Sequence, residues 1–417
     1  MQFDAIVIGA GAAGLLAGAR AAERGRRVLL LEKNRRPGVK ILMSGGTRCN
    51  LTHDTDAAGI VEAYGKSGCF LHSALAALSP ADLVAVVEAE GVATKVEPGG
   101  KVFPVSNRAT DVLAALMQRL DRSGATLATG EGATTIERSG EGFRIGTSAR
   151  TLETQHVLIT TGGKSYPGSG TTGDGYAWAA ALGHTIVPPR PALTPITTHV
   201  EWVRALQGVT VGDVLVRVVD PALDDAKRRV LAERRGSFLF AHFGLSGPAP
   251  MDVSRAVTGH ARPATLQLVC DFLPDVREHE LDERLRAMAA RDGKRRIVTM
   301  LPDVLPDGLP ARLVAALAAR ASVSEDQRAA ELSKNQRAAL VTAIKRQSIA
   351  ISGTRGFAKA EVTAGGVSLD EVDSRSMQSK LVAGLFFAGE ILDLDGPIGG
   401  YNFQAAFSTG YLAGEHL

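Results

Sequence analysis

Residues 4–14 read Asp4-Ala-Ile-Val-Ile-Gly9-Ala-Gly11-Ala12-Ala13-Gly14, and this stretch decides the fold. A short Ile/Val run ended by glycine predicts a buried strand over 4–9. Residues 12–24 predict a helix, and Arg27-Val-Leu-Leu-Leu-Glu32 a second buried strand. Strand, helix and strand in about thirty residues make a βαβ unit, which requires a parallel sheet covered by helices. Gly9, Gly11 and Gly14 have the G-x-G-x-x-G spacing, and Glu32 ends the next strand 18 residues after Gly14. In a dinucleotide fingerprint the first glycine permits the turn, the second admits a pyrophosphate, and the third lets helix and strand pack closely. The diphosphate sits at the helix N-terminus, where free N–H groups and the dipole favour an anion. The acid receives the ribose hydroxyls. The motif alone does not separate FAD from NAD.

Working outward, runs at 133–137, 156–162 and 385–389 fit the same sheet or its neighbours, and Val112, Leu113, Leu116 and Leu120 have helical spacing. Four prolines in 188–195 mark a boundary, because proline suits neither a helix interior nor a central strand. Beyond it, 214–219, 238–243 and 265–272 read as strands, while 275–345 reads as helical. The expected domains are a dinucleotide-binding part at 1–190, a β-rich part at 191–273, a helical insert at 274–345, a last strand of the β-rich part at 346–358, and a return to the first domain at 359–417.

Three further glycine-rich segments carry candidate chemistry. Gly168–Gly173 also matches G-x-G-x-x-G, but Tyr166-Pro167 precedes it instead of a strand, so it reads as a ligand-facing loop. With no second nucleotide unit and no cysteine pair, a two-nucleotide disulfide reductase is excluded. The stretch from Gly38 and Lys40 through Ser44, Gly45, Arg48 and Asn50 offers backbone donors, a cation and an amide suited to a pyrophosphate or flavin edge. Gly389-Glu390, Asp393 and Gly399-Gly400-Tyr401-Asn402 lead into an apparent helix over 402–414, a second helix N-terminus facing a ligand. His242, Lys164, Tyr166 and Tyr401 are candidate proton donors. Arg355 is a candidate for a substrate carboxylate. Cys49 is either a reactive thiol near the ligand or a buried filler.

Composition bounds the rest. The chain has 417 residues, 45% of them apolar and 22% charged, with 46 glycines and 18 prolines. Two or three domains at ~100–200 residues each fit that length. Lys and Arg number 47 and Asp and Glu 44, a net charge of +3. No basic run stands out, so neither nucleic acid nor a membrane is expected as partner. Three scattered cysteines make neither a disulfide framework nor a zinc site, so no metal is expected. With no signal-type start and no uninterrupted apolar run of about 18, the expectation is a cytoplasmic protein.

The segments GAGAAG, LEKN, SGG-x-RCN, TTGGKSYPGSGTTGDGY, GLSGP, VTAGGVS and AGEILDLDG-PIGGYNFQAAFSTGYLAG resemble the BaiN-like FAD-dependent flavoproteins, a family that includes aminoacetone oxidases. The matches run in order from residue 4 to about 414. One departure is Thr47, where the family usually has a third glycine. The resemblance implies an α/β fold: a glutathione-reductase-like FAD-binding Rossmann domain with an inserted β-barrel and a helical subdomain. It implies tightly bound, non-covalent FAD. It carries cofactor contact to Gly9, Gly11, Ala12, Ala13, Gly14, Glu32, Lys33, Lys40, Ser44, Gly45, Arg48, Asn50, Thr161, Gly162, Gly389, Glu390, Asp393, Gly400, Tyr401 and Asn402. By analogy of the strand at 133–137, it places Ala133 beside the adenine.

The expected activity is hydride transfer at flavin N5 to or from a small molecule bound at a domain interface. A reductase of an activated, enone-like C=C bond fed transiently by NAD(P)H is the leading version. A peroxide-forming amine oxidase is the alternative, and a tRNA-modifying flavoprotein a more distant one.

Overall fold

All four side chains of β1 (Ala5–Ile8) are buried, so the strand must be covered on both faces and paired on both edges. The computed structural model describes residues 2–225, 229–305 and 309–417. In it β1 lies at the centre of a five-stranded parallel sheet. On one side it pairs with β2 (Val28–Glu32), and beyond that lies β3 (Thr126–Thr129). On the other it pairs with β4 (His156–Ile159), and beyond that lies β5 (Leu385–Phe387). The order β5-β4-β1-β2-β3 brings the chain's last strand into the sheet that its first strand nucleates.

Helix α1 (Ala12–Glu23) covers β1 and buries eight residues from Ala13 to Ala21. The helix Ala109–Ser123 buries Val112, Leu113, Leu116 and Leu120, the apolar face its periodicity predicts. The C-terminal helix α2 (Tyr401–His416) packs along α1. Close approach is possible because Gly410 and Gly414 carry no side chain. A Cβ on Gly410 would stand 2.3 Å from Ala13 O, and one on Gly414 2.5 Å from Ala17 O.

Two runs take forms that the sequence left open. Ala133–Ser139 joins Gly142–Thr147 and Thr151–Thr154 in a separate antiparallel sheet. The proline-rich boundary is itself a strand, Ile186–Ala192, in a two-stranded ribbon with Val362–Val367. Such a ribbon has free edges, where proline's missing N–H costs no ladder bond. Among the described residues, one helical run, Gly65–Ala89, is long and apolar enough to span a membrane by length and composition. It is three short helical segments, broken at the extended Leu78 and restarted by a Ser79–Asp82 capping box.

The chain divides into two compact units, Met1–Pro191 with Glu361–Leu417, and Ala192–Ala360; the sequence boundaries fall at 190/191 and 358/359. In the second unit seven strands pair antiparallel in the order Gln347–Ala350, Gln267–Asp271, Thr210–Val219, Val230–Ala241, Gly244–Ser246, Ile196–Thr197, Gly353–Thr354. Of the barrel implied by the resemblance, the described residues show this antiparallel row of strands, with Ser352 N, in the link between its two end strands, donating to Thr197 O at 2.9 Å. Those ends, Gln347–Ala350 and Gly353–Thr354, are linked by the chain itself through Ile351-Ser352. Phe238, Phe240 and Phe272 form the unit's aromatic core, with Phe238 and Phe240 centroids 4.9 Å apart. The helical insert contains Glu278–Arg291, Ile297–Val304, Ala311–Arg320 and Lys334–Lys345. It is tied to the sheet by buried Lys345, whose Nζ lies 2.7 Å from Asp271 Oδ2.

The substitution Gly410→Ala should destabilise the protein by about 1–3 kcal/mol through overpacking of α2 on α1, read as a lower urea midpoint with an unchanged slope.

Candidate active site

The turn after β1 is built by exclusion of Cβ atoms. Gly9 has φ +105°, and a Cβ there would stand 2.6 Å from Thr160 O. A Cβ on Gly14 would stand 1.9 Å from Gly9 O and 2.7 Å from Thr160 Oγ1. Gly11 differs, because a Cβ there meets nothing within 4 Å. Gly9 and Gly14 are therefore needed by the protein itself, whereas the space over Gly11 belongs to a cleft. Gly11 is the N-cap of α1 and no side chain caps that helix. The first-turn amides are left for a ligand.

That cleft lies wholly within the first unit. Its lining includes Glu32, Lys33, Gly132 and Ala133, the turn residues Gly9, Gly11, Ala12 and Ala13, and Lys40, Thr161, Gly162, Thr171, Gly389, Glu390 and Asn402. Glu32 is 7% exposed. Its Oε2 accepts from Ala10 N at 2.9 Å and its Oε1 from Asn34 N at 2.8 Å, so the carboxylate is fixed by backbone. Lys33 Nζ reaches Asp174 Oδ2 at 2.6 Å and Thr172 Oγ1 at 2.7 Å, which ties β2 to the Gly168–Gly173 loop. Burial alone would raise the Asp174 carboxyl, but the hydrogen bonds from Lys33 and Thr172 hold it below the usual carboxylate range.

The cleft wall also holds a compact ionic network. Lys40 Nζ donates to Glu390 Oε2 at 2.5 Å and to Ser165 Oγ at 2.6 Å. Ser165 Oγ donates to Glu390 Oε1 at 2.6 Å, and Thr363 N adds a further donor at 2.9 Å. Thr363 Oγ1 accepts from the amides of Lys164 and Ser165. Side-chain exposures of 26% for Lys40 and 18% for Glu390 give a partly desolvated pair at the cleft wall. Ser165 and Thr363 were missed as site residues from sequence. The signal lay in the TTGGKSYPGSG and VTAGGVS segments, whose glycines drew attention away from the hydroxyls between them.

Several predicted residues lie outside the cleft lining. Gly14, within α1, is buried against the Gly9 carbonyl and Thr160. Lys164 is exposed, and the Tyr166 backbone sits in the left-handed region at φ 53°. Arg48 lies 4.0 Å over the Phe103 ring and donates to Glu97 at 2.8 Å. The Asn50 amide, oriented to satisfy its neighbours, accepts from Gly400 N at 3.0 Å and donates to Thr52 O at 3.0 Å. Ser44 and Gly45 lie in the break of the Val39–Thr47 helix. The backbone N–H of Asp393 donates to Val367 O. Tyr401 stacks on His53 at 4.6 Å, and Tyr64, also missed from sequence, donates to Tyr401 O at 3.1 Å. Burial pushes the Tyr64 phenol up. Asn402 does line the cleft, and its amide clamps Gly396 through N–H···O contacts of 2.8 and 2.9 Å. His242 belongs to the second unit. Burial pushes the Cys49 thiol up to about 12, so it is a protonated filler at neutral pH.

The residues fit an extended dinucleotide. One cleft brings together uncapped helix amides, a carboxylate fixed by backbone amides and a cation–carboxylate pair. Thr161 Oγ1, on a cleft residue, is buried with no hydrogen-bond partner among the described residues. A five-stranded parallel Rossmann sheet with this cleft defines a dinucleotide-dependent oxidoreductase. The chain belongs to the HI0933-like family: the family's Rossmann-domain model matches residues 3–416. It is an FAD-dependent flavoprotein oxidoreductase.

A ribosomal RNA dihydrouridine synthase of Escherichia coli (strain K12) is 34% identical over 418 residues, covering 100% of this chain and 98% of that protein. A 3-dehydro-bile acid delta(4,6)-reductase of Clostridium scindens is 31% identical over 412 residues, covering 98% and 97%. The structure of a 3-ketosteroid delta1-dehydrogenase from Sterolibacterium denitrificans matches with a TM-score of 0.51 at 15% identity, over 99% of each chain; this similarity is one of fold. The expectation of no nucleic-acid partner conflicts with the name of the first of these relatives.

Gly11→Val should fold but purify without bound flavin, melting with the midpoint of the flavin-stripped unaltered protein, whereas Gly14→Val should fail to fold; flavin absorbance and melting curves separate them. Thr47 sits at φ 70°, a strained conformation for a β-branched side chain. Thr47→Gly should raise stability by about 0.5–1 kcal/mol, because relief of strain exceeds glycine's added chain entropy, measured by urea unfolding.

Proposed function

We propose that this protein reduces a carbon–carbon double bond conjugated to a carbonyl, and that the bond belongs to a uracil ring in RNA. The net reaction consumes NAD(P)H and a proton. Hydride adds to the carbon β to the carbonyl, a proton adds to the α carbon, and NAD(P)+ leaves. Bound FAD supplies the two-electron relay between nicotinamide and substrate. On the protein side, α1 holds the diphosphate, Glu32 the ribose end, and Lys40 with Glu390 and Ser165 the polar wall of the cleft.

The observation that carries the RNA reading is the uneven charge of the chain. Residues 192–360 contain 25 Lys and Arg against 19 Asp and Glu, a net +6, while the remainder contains 22 against 25, a net −3. The modest total conceals a basic unit inserted into an acidic one, and a basic unit suits a polyanionic substrate. The relative named as a ribosomal RNA dihydrouridine synthase supports the same chemistry, since dihydrouridine is uridine with that bond reduced. The second reading is a free enone-like small molecule, supported by the bile-acid reductase at 31% identity. Both readings share the bond reduced. We place the protein in the cytoplasm, where ribosomal RNA and NAD(P)H coexist.

The test is anaerobic. NADH or NADPH should bleach the flavin, and an unmodified ribosomal RNA transcript should then restore its absorbance and gain two mass units at a uridine. Restoration by a steroid-type enone but not by RNA would select the second reading. Bleaching by neither nicotinamide would sink both.

A further inference from the structure

Many arginines of the Ala192–Ala360 unit are neutralised. Arg217 pairs with Glu233, Arg234 with Asp252, Arg235 with Asp213 and Asp275, and Arg337 with Asp282. Arg204, Arg312 and Arg355 meet no carboxylate among the described residues; Arg312 is spent on the carbonyls of Ala205 and Gln207, but Arg204 and Arg355 share a neighbour. Both are turned to one feature, the two-residue hairpin turn His242-Phe243 between the paired residues Ala241 and Gly244.

That turn is chemically unusual. Two-residue hairpin loops favour Asn, Asp and Gly at left-handed φ. Here the tip is two aromatic rings, and neither His242 nor Phe243 has positive φ. The turn is held from outside instead. Arg204 Nε donates to His242 O at 2.8 Å, and Thr198 N donates to Phe243 O at 3.1 Å. The Arg355 guanidinium lies 4.7 Å from the Phe243 ring centroid, and the His242 and Phe243 rings meet edge-on at 5.0 Å. His242 and Arg204 are exposed, and Phe243 and Arg355 are half-buried. With Nε committed to a carbonyl, Arg204 keeps its two terminal nitrogens for a bidentate partner.

We propose that this hairpin tip is a nucleotide-binding element for a single-stranded segment of RNA. One unstacked base lies on the Phe243–Arg355 platform, and Arg204 receives the adjoining phosphate. Aromatic and guanidinium planes accept any base face, and the arginine fork matches phosphate oxygens. The proposal rests on the RNA reading above and names the residues that grip the substrate.

The experiment is fluorescence anisotropy with a labelled uridine-rich single-stranded RNA oligonucleotide of about 20 nucleotides, titrated with the FAD-loaded full chain between 50 and 200 mM salt. Arg204→Ala should weaken binding about tenfold and lower the salt slope by about one. Phe243→Leu should weaken it about tenfold with the slope unchanged, because a stacking contact releases no counterion. Arg355→Glu, which reverses the charge beside the Phe243 ring, should abolish binding. Flavin absorbance and the thermal midpoint report integrity for each. If the unaltered protein ignores RNA yet reduces an enone, the RNA reading fails and this proposal with it. If the unaltered protein binds and modifies RNA while the three variants bind as tightly, the RNA reading stands and the hairpin assignment is overturned.

Discussion

The close approach of α1 to the turn behind β1 is the constraint on which the rest depends. A Cβ at Gly14 would stand 1.9 Å from Gly9 O, so the helix can lie where it does only if that position has no side chain. Once it lies there, its first-turn amides open over Gly11, the sheet's carboxyl edge faces the cleft, and Glu32 on the neighbouring strand is drawn onto the Ala10 amide. The same economy recurs at α2, where Gly410 and Gly414 meet the backbone of Ala13 and Ala17. One helix near the start of the chain is clamped between its own turn and the chain's last helix.

This arrangement links chain ends to function. Lys40, from the beginning of the chain, and Glu390, from its end, form the ion pair at the cleft wall. Ser165 and Thr363 join them from the segments on either side of the inserted unit. Breaking a half-buried pair of this kind leaves an uncompensated charge, so the network fixes the return of residues 361–417 as well as the chemistry of the site. The inserted residues 192–360 have a core of their own. They carry the chain's positive charge in a unit with separate aromatic packing.

Thr47 shows how a local departure is tolerated. It occupies a left-handed conformation that glycine would adopt freely, in a run with Gly45 and Gly46. The position is exposed and outside the cleft lining, so its cost falls on stability and is absorbed by the surrounding fold.

What the sequence by itself determined is local and periodic. The strand, the glycine turn, α1 and the acid at the end of β2 follow from residues 4–32, because spacing and burial are written along the chain. The apolar faces of 109–123 and of the helical insert follow likewise. What only the tertiary structure decided is what meets across long separations. Residues 133–139 look like another buried strand, but their partners at 142–154 place them in a separate sheet. The prolines of 186–192 form a strand because their ribbon is two-stranded. Ser165 beside Lys40 and Glu390, and Arg204 and Arg355 converging on a His-Phe turn, have no signature in spacing, since each pairing depends on how distant segments fold back. The charge split, by contrast, is legible along the chain, because the boundaries read at 190/191 and 358/359 fall within two residues of the structural ones.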